Sequence, residues 1–250
     1  MKQDKYIHSM DWVEGNDIIF SNNSNYRKYQ YDLIAKYIGK NILEVGTGDG
    51  SFTSQIVNHS DNITRIISIE PSNTLLKLYK DKHQFPNMVS VCNIDLFDVH
   101  PGSFGLFDTV IFIHVLEHIE NDKEVLNHTY NLLEKSGHVL IEVPALSMLF
   151  SEHDKSLGHF RRYNKKLLNS IIDNEKYKIK KIWYQDPIGV LGSLYFFKLK
   201  KIKLKSNEGD QLVKNQGSVY DKYVIPFEKY VEKFIKFPFG LSLTAILQKC

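Results

Sequence analysis

Three glycines at alternate positions follow a short apolar run near residue 45. Gly46, Gly48 and Gly50 lie directly after Glu44, in the stretch EVGTGDG. Glycine allows a backbone to approach a ligand closely, and the first N–H groups of a helix are free to bind it. The stretch is not a nucleotide-triphosphate loop, because no Gly-Lys-Ser/Thr follows, and Ser51 occupies the third glycine position of the dinucleotide fingerprint. It indicates either a cofactor turn of another kind or a purely structural turn.

Two carboxylates follow the next two apolar runs. Glu70 ends the second run, 24 residues after Gly46, and Asp95 lies just past the third. A carboxylate at the end of the second strand can accept hydrogen bonds from both ribose hydroxyls of a nucleoside. Asp95 could then bind the exocyclic amine of adenine. Each acid alone could also be a solvated loop carboxylate, but their succession at strand ends favours a nucleoside site.

Histidines form two clusters further along the chain. His114 ends a fourth apolar run, and Glu117 and His118 share its face if a helix starts there. Such a set could hold a metal ion. His153 and His159 lie in a polar loop after the fifth run. Imidazole has a pKa near neutrality, so the candidate general bases are His114 first, then His153 or His159.

The elements that position these residues alternate along the chain, as expected for parallel strands joined by crossover helices. Strands are predicted at 41–45, 65–70, 88–93, 107–113 and 138–143. Helices are predicted at 26–38, 51–58, 73–82 with Ser72 as N-cap, and 122–134 with Gly137 closing the last. The pattern predicts an α/β fold with a doubly wound sheet.

After residue 144 the alternation changes. A helix is predicted at 165–173, a strand at 177–184 and a last strand at 241–248. About fifty residues between two strands is too long for a simple connection, so residues 187–238 are predicted to form a cap or insertion on the acceptor side. Residues 1–186 and 239–250 are predicted to form the cofactor-binding domain.

The order and spacing of five motifs carry a family resemblance. ILEVGTGDGSFT, SIE, NIDLFD, FDTVIFIHVLEHIEND and KSGHVLIEVP together resemble class I S-adenosylmethionine-dependent methyltransferases. The resemblance implies a Rossmann-like sheet of seven strands with the last antiparallel, and S-adenosylmethionine as cofactor with S-adenosylhomocysteine as product. It implies that six residues hold the cofactor: Glu44, Gly46 and Gly48 along its methionine and ribose, Glu70 at the ribose hydroxyls, and Asp95 with the Leu96 backbone at the adenine.

Two further resemblances concern the histidines. Residues 158–163 (GHFRRY) are similar to the Gly-His-x-Arg-Arg-Tyr signature of one branch of these enzymes, which implies a lid or substrate wall; alternatively, Arg162 and Tyr163 pin the following helix. HVLEHI resembles the ubiquinone-biosynthesis O-methyltransferases, where a Glu in the first position joins the Glu-His pair in binding a divalent ion. His114 occupies that position here, so no metal ligand is predicted, and the pair can equally brace loops around the cofactor.

The charge is unevenly distributed. The chain of 250 residues has a formal charge of +3, but residues 176–205 contain nine Lys and one acid. Arginine is scarce, so no nucleic-acid partner is expected. Residues 189–206 could touch an anionic membrane, attract an acidic substrate or form a packed amphipathic element. With two cysteines and no apolar leader in MKQDKYIHSMDW, a cytoplasmic location is expected.

The predicted function follows from the cofactor residues and the histidines. We expect methyl transfer by in-line displacement to a hydroxyl or amine of a small-molecule, sugar-containing or lipid-linked acceptor. The alternatives are an NAD(P)-dependent oxidoreductase, which the missing third glycine disfavours, and a non-catalytic scaffold with the cofactor fold.

Overall fold

The computed structural model describes residues 24–195 and 219–250, which are built around a seven-stranded sheet with the order β3-β2-β1-β4-β5-β7-β6. Only β7 is antiparallel to its neighbours. This is the predicted α/β architecture with its antiparallel last strand. The strands are β1 (Asn41–Val45), β2 (Arg65–Ile69), β3 (Val89–Cys92), β4 (Phe107–Ile113), β5 (Leu133–Pro144), β6 (Tyr177–Gln185) and β7 (Ser242–Lys249).

Helices cover both faces of the sheet, because successive strand residues point to opposite sides. On β1, Leu43 belongs to one apolar cluster and Ile42 to the other. Leu126 of α5 joins the first cluster, and Ile56 of α2 joins the second. The helices are α1 (Ser24–Ile34), α2 (Ser51–His59), α3 (Asn73–Lys82), α4 (Pro101–Phe104), α5 (Asp122–Leu132), α6 (Glu152–Ser156), α7 (Lys165–Ile171), α8 (Pro187–Ser193) and the Ile225–Val231 helix.

Several predicted elements are confirmed to the residue. The strands at 41–45 and 107–113 and the helix at 73–82 have the predicted bounds. The Ser72 side chain accepts a hydrogen bond from the Leu75 N–H at 3.3 Å, which confirms it as the N-cap of α3. Within the described residues, no helix is long and apolar enough to cross a bilayer.

The junction of α5 and β5 differs from the prediction. The helix ends at Leu132 and the strand begins at once at Leu133, where it pairs with Phe107 before a register shift. Gly137 is therefore a strand residue and not a C-cap. A Cβ at Gly137 would lie 3.0 Å from the Asp108 carbonyl oxygen, so close packing of β4 and β5 explains the glycine.

The described part of the predicted cap is fastened to the sheet and to α1. Tyr29 of α1 donates its hydroxyl hydrogen bond to Glu232 at 2.6 Å, and the Asp186 N–H donates to the other oxygen of Glu232 at 3.0 Å. The Tyr26 N–H donates to Asp221 at 2.8 Å. The division of the chain at 187–238 stays a prediction, and residues 196–218 lie outside the described part.

Candidate functional site

The glycine turn lies at the carboxyl end of β1 and combines tight packing with open space. Gly46 and Gly48 have φ angles of 69° and 58°, in the left-handed region that favours glycine. A Cβ on Gly46 would lie 2.7 Å from Val115 Cγ2, whereas nothing lies within 4 Å of a Cβ position on Gly48. The turn therefore contacts the segment after β4 on one side and leaves room for a ligand at Gly48, as a bound cofactor requires.

Two carboxylates border this turn at the ends of β2 and β3. Glu70 accepts hydrogen bonds from the Gly48 and Ser72 N–H groups, both at 2.9 Å. Asp95 accepts one from the Phe97 N–H at 2.8 Å. Burial raises the pKa of both acids. Each carboxylate oxygen has further lone pairs, so the predicted contacts to ribose and adenine fit this geometry and stay predictions.

Glu44 lies beneath the turn. One of its carboxylate oxygens accepts hydrogen bonds from the hydroxyls of Thr47, Thr53 and Ser68 at 3.2, 2.6 and 2.9 Å. Burial raises the pKa of Glu44 from 4.5 to about 7, and the three hydroxyls oppose that rise. These contacts tie β1 to β2 and α2, so Glu44 supports the turn from below; its predicted contact with the methionine part stays a prediction.

The Glu44→Gln variant is expected to gain stability over the natural chain as the pH rises. An acid whose pKa is higher in the folded state stabilises the fold when protonated, and this contribution is lost between pH 4.5 and about 7. The difference in unfolding free energy between the two proteins should grow by ~3 kcal/mol over this range. Urea unfolding at pH 5 and pH 8 measures it, with exposed Glu175→Gln as control. A pH-independent difference would contradict the raised pKa.

His114 is held between two fully buried carboxylates at the end of β4. Its Nδ1 lies 3.3 Å from Glu117 Oε1, and its Nε2 lies 3.2 Å from Glu142 Oε1. Burial lowers the pKa of His114, but the two carboxylates raise it more, to about 9. The imidazole is therefore protonated at neutral pH. Its role as general base stays a prediction, and it would have to release that proton first.

The second histidine loop folds back onto this cluster. The Phe160 N–H donates to the Glu117 carbonyl at 2.8 Å, and the rings of His118 and His159 are 4.7 Å apart in a T-shaped arrangement. The structure thus brings His159 next to Glu117 and His118. His153 belongs to α6, and its side chain lies outside the part of the chain that the structure describes.

The arginines and tyrosine of this loop hold it in place. Arg162 Nε donates to Asp154 Oδ1 at 2.7 Å, and the Tyr163 hydroxyl donates to Asp122 Oδ2 at 2.7 Å. Arg161 also donates to Asp122. The idea that Arg162 and Tyr163 pin the following helix is wrong, because Asn164 caps α7 and the pair anchors the loop to α6 and α5.

Sequence reasoning missed three residues of the site. Gln30 of α1 donates from Nε2 to Glu142 Oε1 at 2.6 Å and accepts from Arg27 Nη1 at 2.8 Å. Glu142 carried a usable signal, because it is the single acid in the apolar run of β5 (HVLIEVP). Gln30 and Arg27 carried none, since polar residues are ordinary on a helix.

Comparisons with known proteins identify the family and the fold. A family model described as "Methyltransferase domain" matches residues 25–203. No protein with curated annotation matches the chain in sequence. The N-methyltransferase NodS from Bradyrhizobium japonicum WM9, solved with S-adenosyl-L-homocysteine, is 13% identical with a TM-score of 0.58, over 98% of this chain and 99% of that one.

Two further solved structures share the fold at similarly low sequence identity. The plantazolicin methyltransferase BpumL, solved with a desmethyl-plantazolicin analogue and SAH, is 13% identical with a TM-score of 0.60, over 98% of this chain and 95% of that one. The [4+2]-cyclase SpnF is 14% identical with a TM-score of 0.57, over 89% and 80%. At such identities the structures show the fold alone, so the family rests on the model that matches more than two thirds of the sequence. The chain belongs to the methyltransferase domain family and is an S-adenosylmethionine-dependent methyltransferase.

Proposed function

We propose that the chain transfers a methyl group to a hydroxyl group of a small-molecule or sugar-containing acceptor. The observation that carries this proposal is the group formed by His114, Glu117 and Glu142 at the end of β4. The segment that carries this group contacts the glycine turn, since Val115 lies against Gly46. A hydroxyl must lose its proton when it is methylated, and this group supplies proton acceptors beside the turn.

The chain's residues divide the work of the proposed reaction. The bound cofactor supplies a methyl group activated by a sulfonium leaving group. Gly48, Glu70 and Asp95 would hold the cofactor, so that the acceptor can be aligned with the sulfur–methyl bond that breaks. Both oxygens of Glu117 and one of Glu142 are buried without a hydrogen-bond donor among the described residues. The acceptor proton would pass to the Glu142 carboxylate, and His114 keeps both carboxylates in position.

An amine acceptor is the second candidate, and the buried acids near α8 favour it. Asp186 and Glu228 are buried beside the Tyr220 hydroxyl, which lies within hydrogen-bond distance of both and has one proton to donate. Burial and the neighbouring Asp186 raise the pKa of Glu228 to about 8. A cationic amine bound beside Asp186 and Glu228 would offset the free-energy cost of burying these two acids.

The acceptor class is tested with pairs of compounds that share a scaffold and differ only in a hydroxyl or an amine. The chain is incubated with S-adenosylmethionine carrying a labelled methyl group, and the products are analysed by mass spectrometry. We expect the label on oxygen. Label on nitrogen alone would establish the amine reading, and SAH binding without transfer to any acceptor, including those in an extract of the source cells, would favour a scaffold.

We also propose that the chain contacts an anionic membrane, which suits a lipid-linked acceptor. Four aromatic side chains spaced 4, 3 and 4 residues apart are each more than half exposed: Tyr223, Phe227, Tyr230 and Phe234. Lysines alternate with them in the sequence. In the predicted contact segment 189–206, Leu191 is exposed, and residues 196–206 lie outside the part of the chain that the structure describes.

Sedimentation with phosphatidylserine vesicles tests this contact. We expect the natural chain to sediment with the vesicles at low salt and to be released at 0.5 M salt, since surface charges are then screened. The Phe227→Ser/Phe234→Ser double variant should bind at least about tenfold more weakly, because insertion of aromatic rings is lost. Leu106→Ser, at an exposed apolar residue elsewhere, is the control. Absence of binding at low salt would remove the proposal.

A further inference from the structure

We infer that Glu117, His118 and His159 form a binding site for one divalent transition-metal ion of the zinc class. One donor atom from each of the three lies within 4.8 Å of the others. The set differs from the one considered in the sequence, because His159 from the distant loop replaces His114. His114 is instead an ion-pair partner of Glu117 and Glu142.

The carboxylate of Glu117 needs a partner that the described residues do not fully supply. Its side chain is entirely buried, and neither oxygen has a hydrogen-bond donor in the described part of the chain. The nearest cation is His114, with Nδ1 at 3.3 Å from one oxygen. The ion pair with His114 compensates one oxygen of this buried carboxylate and leaves the other available to a further cation such as a metal ion.

His159 is oriented as metal-binding histidines are. Its Nδ1 lies 3.1 Å from Asp154 Oδ1, which leaves Nε2 free to coordinate. Asp154 is itself fixed, because it also accepts hydrogen bonds from Arg162 Nε at 2.7 Å and from the Ser151 N–H at 2.9 Å. A carboxylate that holds the second nitrogen of a ligating imidazole sets its tautomer and raises its basicity. The loop thus presents a prepared ligand to Glu117.

His118 contributes the third donor. Its Nδ1 is buried and has no hydrogen-bond partner among the described residues. The ring also forms a hydrogen bond with the backbone of Gly158, next to His159. That contact leaves Nδ1 as the nitrogen available for an ion, and it couples the position of His118 to the loop that carries His159.

The chemical types of the three donor groups determine which class of metal ion the site would bind. Two imidazole nitrogens and one carboxylate suit zinc and related transition ions, whereas magnesium and calcium prefer oxygen ligands throughout. Zinc bonds of about 2.1 Å place tetrahedral donors roughly 3.4 Å apart, so binding requires the three side chains to close by up to about 1.4 Å. Three protein ligands leave a fourth position for water or an acceptor oxygen, as in catalytic zinc sites.

The open position would bind the acceptor's oxygen and lower the pKa of its hydroxyl. This role rests on the proposed hydroxyl acceptor, whereas binding of the ion does not. The two parts are therefore tested by different measurements, the first by activity and the second by metal content and spectroscopy.

The full chain without an affinity tag is stripped with a chelator, incubated with Zn²⁺ and freed of unbound ion. Elemental analysis should find about one zinc per chain for the natural protein and for the control His100→Gln. Glu117→Gln and His159→Gln should each lose at least about tenfold in zinc affinity, since each removes one of three ligands. Asp154→Asn keeps all three ligands but weakens the support of His159 and the hydrogen bonds from Arg162 and Ser151, and it should weaken zinc binding by 10- to 100-fold.

Cobalt provides a second readout that does not depend on turnover. Co²⁺ at a site with two imidazoles and a carboxylate should give visible absorption bands that Zn²⁺ abolishes and that His159→Gln lacks. Less than about 0.1 zinc per natural chain, or equal binding by Glu117→Gln, would overturn the metal site. Stoichiometric zinc with unchanged methyl transfer after stripping would keep the site and overturn its role toward the acceptor.

Discussion

Replacement of His114 by asparagine is expected to lower kcat of methyl transfer about 100-fold, the lower end of what a positioned proton-transfer group contributes. Affinity for S-adenosylhomocysteine should change by less than about twofold. His114 has a φ angle of 56°, and asparagine tolerates this left-handed conformation better than most residues do. The backbone after β4 should therefore be retained. The variant removes the cation between Glu117 and Glu142, so these carboxylates lose their common support.

The measurement combines single-turnover methyl transfer with calorimetric binding of S-adenosylhomocysteine, and His100→Asn serves as the histidine control. Alanine is the poorer choice at position 114, because it strains at this φ and offers no hydrogen-bond donor to the two buried carboxylates, whereas the asparagine amide can donate to one of them. If His114→Asn transfers methyl groups within twofold of the natural rate, His114 has no role in the reaction. Zinc content of the same variant shows whether any loss of rate acts through Glu117.

The positions of the residues predicted to bind the cofactor could be read from the sequence because each of them follows its own strand directly, while their contacts with the cofactor stay predictions. The turn after β1 and the acids after β2 and β3 are local features, and the parallel sheet brings the carboxyl ends of its strands to one edge. Strand and helix bounds were likewise predictable where apolar periodicity ended at glycine or a capping serine. Ser72 shows this, since its local hydrogen bond sets the start of α3.

The group of histidines and carboxylates proposed to act on the acceptor depends on contacts between residues far apart in the chain, which local patterns do not encode. Gln30 and Glu142 are hydrogen-bonded although they are 112 positions apart in the sequence. The Phe160 N–H and the Glu117 carbonyl are hydrogen-bonded although α5 and β5 lie between them in the chain. The start of β5 is a similar case. Residues 133–137 extend a helical pattern, but pairing of Leu133 with Phe107 makes them strand. Tertiary contacts overrode propensity at that point.

Replacement of Glu70 by glutamine is expected to weaken binding of S-adenosylhomocysteine about 100-fold, equivalent to ~2.7 kcal/mol. The carboxylate already accepts from Gly48 and Ser72 with one oxygen each. Glutamine has a single acceptor oxygen, so its amide group must face one of these N–H donors. Charge-assisted hydrogen bonds contribute about 1.5–3 kcal/mol each, and loss of the charge affects every bond to this side chain.

Calorimetric titration with S-adenosylhomocysteine measures the effect, and exposed Asp61→Asn is the matched control. Asp95→Asn should weaken binding less, about tenfold, because its one observed hydrogen bond ends on Phe97 and leaves the turn untouched. The main prediction is the order of the two effects: Glu70→Gln should lose more affinity for S-adenosylhomocysteine than Asp95→Asn. Glu70 holds the turn through the Gly48 N–H and is predicted to hold the ribose, so its loss should lower affinity and also unfold the chain at lower temperature. Affinity of Glu70→Gln within threefold of the natural chain would mean that the ribose is held elsewhere and that Glu70 serves only to join β2 to the glycine turn.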